Sequence, residues 1–171
     1  MANTYLKIAS VSLGSAAASI DFTSIPSTYT DLLLVHSTRS VSTGIAQASI
    51  IRFNGDTTST NYTARRLLGS GSAASSDQTP TISSGGFSNN SSATASTFSN
   101  TSVYIPNYAS SNSKSLSIDT VTENNATEAY MALLAMRWSD TAAITSIVIT
   151  NESGGNFVQY STATLYGIKN S

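Results

Sequence analysis

The chain has 171 residues, no cysteine and a formal net charge of −1 at pH 7. This length predicts one domain with a substantial core, and the lack of cysteine excludes disulfide bonds, thiolate metal sites and a cysteine nucleophile. Charged residues make up 10% of the chain, less than half of the usual share of about 25%. The basic surface that nucleic acid requires is therefore missing, and a surface of hydroxyls and amides suits broad contacts between subunits.

The first part of the chain predicts three strands. Residues 1–18 form an N-terminal arm with a short strand at residues 5–9, and residues 19–22 form the second strand. Residues 31–40 carry apolar side chains on both strand faces, namely Leu32, Leu33, Leu34 and Val35. Such a segment is typical of a central strand that is covered on both sides.

A strong turn signal follows the next predicted strand, residues 48–54. The sequence Asn54-Gly55-Asp56 allows two positive φ angles in succession, so the chain can reverse there. Residues 62–68 then read as a strand that pairs back onto residues 48–54 as its hairpin partner.

The composition changes between residues 69 and 100, where nearly all residues are small and polar. Asp77 is the one charged residue of this stretch, and Phe87 and Phe98 are its main apolar anchors. By composition it is a low-complexity insertion that forms a long loop or a disordered segment. We expect it either to lie against neighbouring chains or to add a hairpin at the edge of the sheet.

The second half predicts further strands at residues 103–108 and 114–121, with a turn at residues 123–125. Residues 144–150 and 162–168 follow as two more strands, joined by a connection that contains Gly154 and Gly155. Gly167 lies inside the last strand, which indicates a bulge or the close approach of another backbone.

Residues 129–138 are the one ambiguous element. Their good helix formers allow a helix capped by Thr127 and Glu128, whereas apolar residues on both faces are also typical of a central strand. We predict a strand because the segment lies between strands. The longest apolar run, residues 129–136, is far too short to cross a bilayer, for which about 18–20 residues are needed, and no targeting segment is recognisable, so we expect a protein without a membrane span.

Nine or ten short strands separated by turns predict a single all-β domain over residues 1–171. We expect an antiparallel β-sandwich of the jelly-roll type, with an open Greek-key sandwich as the alternative.

The sequence predicts neither a catalytic site nor a cofactor. His36 is the only histidine, so no second one exists to form a metal triad with it, and a lone histidine beside leucines is usually packed or at an interface. Asn54 and Asp56 match a fragment of a calcium loop, but the remaining ligand positions are absent. We therefore expect a protein that is not an enzyme and that holds no metal.

Aromatic residues suggest contacts instead. Trp138, Tyr104 and Tyr108 would suit a carbohydrate platform, although such scattered rings more often seal a core or a subunit contact. The residues that we expect at subunit contacts are His36, Arg39, Phe87, Phe98, Tyr104, Tyr108 and Trp138.

Short motifs in a fixed order resemble a virion structural domain of tailed bacteriophages. The order is Phe22, Ile25-Pro26, Tyr29-x-x-Leu32, Arg39, Phe53-Asn54-Gly55-Asp56, Asn61-Tyr62, Ile105-Pro106-Asn107-Tyr108, Trp138, Ile144-Thr145-Ser146-Ile147, Gly155-Asn156-Phe157, Ser161 and Leu165-Tyr166-Gly167-Ile168. The likeness covers most of the chain except residues 69–100, and the order and the closing Leu-Tyr-Gly-Ile weigh more than any single motif.

The resemblance implies a jelly-roll-like sandwich that serves as a capsid decoration (cement) protein or as the head of a tail fibre, commonly as a homotrimer. Its partners would be its own copies and the major capsid protein or other virion proteins, with the capsid surface as its location. No catalytic residues are carried over. Because the predicted strands begin close to Met1 and leave no room for a shaft, we rank capsid decoration first. The alternative is a receptor-binding or carbohydrate-binding head on the tail, with a glycan as partner.

Overall fold

The computed structural model describes residues 4–78, 84–122 and 129–169. Within these ranges the strands in chain order are β1 (Tyr5–Ser12), β2 (Ser19–Phe22), β3 (Asp31–Ser37), β4 (Ala46–Phe53), β5 (Tyr62–Gly69), β6 (Ala74–Asp77), β7 (Ser84–Asn89), β8 (Asn100–Ile105), β9 (Lys114–Val121), β10 (Met131–Trp138), β11 (Ile147–Asn151) and β12 (Thr162–Ile168). They form two antiparallel sheets, packed as a jelly-roll-like β-sandwich, which confirms the predicted fold class. The predicted turn at residues 123–125 and the caps Thr127 and Glu128 lie outside the described residues.

The two sheets differ in width. The larger has eight strands in the order β1-β12-β3-β8-β9-β10-β5-β6, and the smaller has four in the order β2-β11-β4-β7. The first and last strands pair with each other, with Tyr5 opposite Ile168. The larger sheet thus has an inner face that meets the smaller sheet and an outer face on the far side.

The core lies between the sheets and follows from strict alternation along the strands. In β9 and β10 every second residue is buried, as the alternating sequence pattern predicts for residues 114–121. Leu32 and Leu34 of the larger sheet and Ile147 and Ile149 of the smaller are all essentially buried. Each such side chain contributes about 1.5–3 kcal/mol when it leaves water.

The structure confirms the strand predicted at residues 129–138 and contradicts the predicted coverage of residues 31–40. Residues 131–138 form β10, so the predicted strand is confirmed and the helix alternative is wrong. The expectation that residues 31–40 are covered on both faces is wrong, because Leu33 and Val35 on the outer face of β3 are only half buried. No described element packs as a further layer over that face.

The turn after β4 is confirmed, but its predicted hairpin is wrong. Asn54 and Gly55 have φ angles of 52° and 71°, as the two-residue turn requires. The chain then leaves the smaller sheet, and β5 joins the larger sheet between β10 and β6 instead of pairing with β4. A hydrogen bond holds the chain where it passes from one sheet to the other, because the backbone oxygen of Asp56 accepts from the Tyr62 hydroxyl at 3.2 Å.

Residues 69–100 contain more regular structure than their composition predicts. β6 pairs with β5 and forms the edge of the larger sheet, so the edge hairpin is confirmed. β7 joins the smaller sheet, and its residues are all buried, which makes the expectation of one long loop wrong. The loop after β7 is held by Arg39, whose guanidinium donates to the carbonyl oxygens of Ala93, Thr94 and Thr97 at 3.1, 2.8 and 3.1 Å.

The two C-terminal strands lie in different sheets, β11 in the smaller and β12 in the larger. At Gly167 in β12 the close neighbour is an aromatic ring and not a backbone. A Cβ at this position would come within 2.3 Å of the Tyr29 ring, which explains why glycine is needed there.

Candidate functional site

The candidate functional surface is the outer face of the larger, eight-stranded sheet. Register places Leu67 of β5 beside Leu133 of β10, and Leu133 beside Asp119 of β9. Two residues along the strands, Arg65 lies beside Ala135. All of these side chains point away from the core, because they alternate with buried neighbours.

Several large apolar side chains on this face remain exposed. Leu67, Met131 and Leu133 have exposed fractions of 59%, 57% and 52%, and they come from the adjacent strands β5 and β10. Single exposed leucines are ordinary, whereas a contiguous group marks an interaction surface. This group therefore makes the outer face the leading candidate for a functional surface.

A groove of about 800 Å³ runs along the same face. We call it the outer groove. Its lining includes Arg65, Leu67, Tyr104, Asp119, Leu133 and Ala135. The Tyr104 ring forms one rim and is held in place by Asp31, whose Oδ2 accepts a hydrogen bond from the Tyr104 hydroxyl at 2.7 Å. That bond raises the pKa of Tyr104, so the hydroxyl stays protonated.

Four charged residues line the outer groove, and two of them form an ion pair with each other. Arg66 and Asp77 form an ion pair with a distance of 2.6 Å between Nη2 and Oδ2, which ties β6 to β5. Arg65 and Asp119 are exposed, and neither forms an ion pair with any residue that the structure describes. Arg65 Nη1 donates to the Ala64 carbonyl oxygen at 3.4 Å, and Arg137, farther along the outer face of β10, donates to Ser113 Oγ at 3.2 Å. The groove lining therefore has one positive and one negative group outside an ion pair, on opposite sides of β10.

His36 is buried, so the prediction that it lies at a subunit contact is wrong. Its Nε2 lies 3.0 Å from the carbonyl oxygen of Gly85. A carbonyl only accepts, so Nε2 carries the proton and donates. Nδ1 has no hydrogen-bond partner among the described residues. Burial lowers the pKa of His36 from 6.5 to about 4, and the residue serves as a neutral link between the sheets.

Trp138 and Tyr108 are also fully buried, which corrects their predicted place at a subunit contact or on a glycan platform. Trp138 packs against Phe53 and Tyr62 with ring centroids 5.4 and 6.5 Å apart. Its Nε1 donates to Asp56 Oδ2 at 2.8 Å. These rings seal the core because an indole can be buried once its N–H has an acceptor.

The other predicted contact residues are divided between the interior and the surface. Phe87 is buried, which corrects its predicted role, and it stacks on Tyr130 at 5.8 Å. Arg39 and Phe98 are half buried, and the Arg39 guanidinium is occupied by the loop after β7. Of the predicted set, Tyr104 is the one that lines the outer groove.

Asp56, which matches a fragment of a calcium loop, is committed to the protein itself. It accepts hydrogen bonds from Trp138 Nε1, Asn61 Nδ2 and the Thr58 amide. The bonds from Trp138 and then Asn61 lower its pKa to about 2. Within the described residues, no group of three histidine, cysteine, aspartate or glutamate side chains is placed to hold a metal ion.

Sequence reasoning missed the outer groove, although a signal for it existed. The apolar residues on both faces of residues 129–138 predict a central strand and do not by themselves point to an exposed surface. In the structure Leu133 faces outward and remains exposed. An apolar residue on the second face of a strand indicates either a further layer of the fold or a surface that a partner covers, and sequence alone does not distinguish the two.

Comparisons with known proteins give no relatives for this fold and surface. No protein-family model matches the chain, and no curated protein or solved structure matches it. In the part of the chain that the structure describes, no helix has the length and apolar character needed to cross a membrane.

Proposed function

We propose that this chain is a non-enzymatic structural protein of a virion and serves as a capsid decoration (cement) protein. The observation that carries the proposal is the outer face, where Leu67, Met131 and Leu133 stay exposed beside a groove. A decoration protein works by adhesion, so it needs a self-sufficient domain with a surface available for docking. The motif order given above supplies the link to tailed bacteriophages.

The low charge of the chain supports a docking role. With a net charge of −1, copies of the chain do not repel one another strongly. Hydroxyl and amide groups elsewhere on the surface are cheaper to remove from water than ionised groups. Under this proposal the copies bind the major capsid protein and associate with each other, with a homotrimer as the assembly that the resemblance implies.

The test is to ask where the protein lies on the particle and which face binds. The virion that encodes this sequence is imaged by cryo-electron microscopy, and purified protein is sedimented with shells that lack it. We expect copies on the capsid lattice, and we expect Leu133→Lys to bind shells less well than Val41→Lys, its control with 53% exposure away from the groove. Absence of the protein from virions would refute the proposal.

The alternative is a receptor-binding or carbohydrate-binding head on the tail, and one observation keeps it open. Tyr104 retains an exposed ring at the groove rim, as a sugar platform requires, although Trp138 and Tyr108 are buried and do not contribute. Copies at the tail together with glycan binding that is lost in Tyr104→Ala would favour this alternative over capsid decoration.

A further inference from the structure

We propose that the outer groove takes a second copy of this chain, packed face to face about a two-fold axis that runs along β10. The inference deepens the proposed function and rests on the outer face being a docking surface, which a second copy covers in the free protein and the shell covers on the particle. It adds the identity of one occupant and the symmetry of the contact. A homotrimer would use another surface, so the two kinds of contact can coexist in one assembly.

The apolar residues define the centre of this contact. Leu133 lies on the axis strand β10, with Leu67 on β5 at its side. Sheets that pack face to face lie about 10 Å apart, and their side chains interdigitate in the space between them. A second copy would therefore cover Leu67 and Leu133 of the first in the way that the smaller sheet covers the inner face.

The charges select the symmetry. Arg65 lies on β5 and Asp119 on β9, and these strands flank β10 on its two sides. Arg65 is opposite Ala135, and Asp119 is opposite Leu133, so the two charges are two residues apart along the strand direction. A two-fold axis along β10 lays β5 of one copy over β9 of the other. Each Arg65 then comes within reach of Asp119 of the second copy, and the symmetry forms this ion pair twice.

A second copy matches the outer groove better than other occupants. A partner of one charge sign would leave either Arg65 or Asp119 without a counter-ion, whereas a second copy supplies both. A glycan would set its hydroxyls against Leu67 and Leu133, which offer no hydrogen bonds. A peptide that is only apolar would cover the leucines and leave both charges unpaired.

The first experiment measures the mass of the intact chain in solution by sedimentation equilibrium over a wide range of concentration. We expect a two-fold self-association that Leu133→Lys weakens about tenfold or more, because the ammonium would be buried against the other copy. Val41→Lys adds the same charge at an equally exposed position outside the groove and is expected to associate like the wild type. Thermal unfolding of each variant confirms that it folds.

The second experiment exchanges the charges. Arg65→Asp and Asp119→Arg each place like charges together, so both are expected to weaken association, and the double variant is expected to restore it. Asp21→Arg, which changes an exposed aspartate of β2 in the other sheet, is the control and should have no effect. Restoration in the double variant requires that the two positions meet across copies.

The proposal is overturned if the wild type stays monomeric at every concentration, if the double exchange associates as weakly as the single ones, or if the only association is a trimer that ignores all of these substitutions. Binding of a monomer to a glycan through the outer groove would also overturn it. These outcomes are separate from the virion assignment, since a dimer that is absent from virions would refute only the proposed function, and a chain that binds shells but stays monomeric in solution would refute only this inference.

Discussion

Acidification is expected to destabilise this protein through His36. The buried imidazole is neutral because burial lowers its pKa from 6.5 to about 4. Between these two pH values His36 is protonated in the unfolded chain and neutral in the folded chain. The free energy of unfolding therefore falls as the pH falls through this window. The effect is absent above about pH 6.5 and complete below about pH 4. A difference of about 2.5 between the two pKa values corresponds to about 3 kcal/mol.

This loss is large for a domain whose total stability is about 5–15 kcal/mol. The assay is urea unfolding at several pH values between 7 and 4, followed by fluorescence of Trp138, the only tryptophan and a fully buried one. His36→Gln keeps an N–H donor for the Gly85 carbonyl and does not titrate. We expect its stability to fall by about 3 kcal/mol less than that of the wild type across this range. Parallel losses in the two proteins would refute the reasoning.

Two further changes test the packing inside the sandwich. Asp56→Ala removes the charged acceptor of the Trp138 indole N–H and is expected to lower the free energy of unfolding by about 1.5–3 kcal/mol, measured by urea titration at pH 7; an unchanged value would show that this bond contributes nothing. Gly86→Ala would place a Cβ 2.6 Å from Thr101 Cγ2 at a φ of +96°, so it should lower the melting temperature clearly, whereas Gly14→Ala meets open space and should not. Equal melting temperatures would contradict this.

Local patterns predicted the strands themselves with good success. β9 alternates buried and exposed residues along the predicted range, and the Asn54-Gly55 turn has the two positive φ angles that this pair favours. These features depend on residues that are close in sequence, so a single sequence contains the information. The strand β10 was predicted from its neighbours in the chain, because its own composition allows a helix as well.

Long-range pairing could not be read in the same way. Residues 62–68 satisfy a hairpin pattern, yet β5 pairs with β10 because Tyr62 and Trp138 pack side by side in the core. β7 consists of serine, glycine, phenylalanine and asparagine, which have low strand propensity apart from Phe87. β7 forms a strand because it pairs with β4, and because the Phe87 amide donates a hydrogen bond to Thr120 of the larger sheet. A Cβ at Gly85 would lie 3.1 Å from Ile51 Cβ and 3.2 Å from the Ile51 backbone nitrogen, so glycine fits there without a clash.

The edges of the sheets explain why association is expected through side chains and not through added strands. Unpaired edges invite further strands unless they are blunted. β7 is closed against the larger sheet, since the Phe87 amide donates to Thr120 Oγ1 at 3.0 Å and the Gly85 carbonyl accepts from His36. A register shift between Lys7 and Ala9 interrupts β1, and β2 and β6 have only four residues each. Because every described edge is short, interrupted or occupied, the outer face remains the surface that we propose for docking.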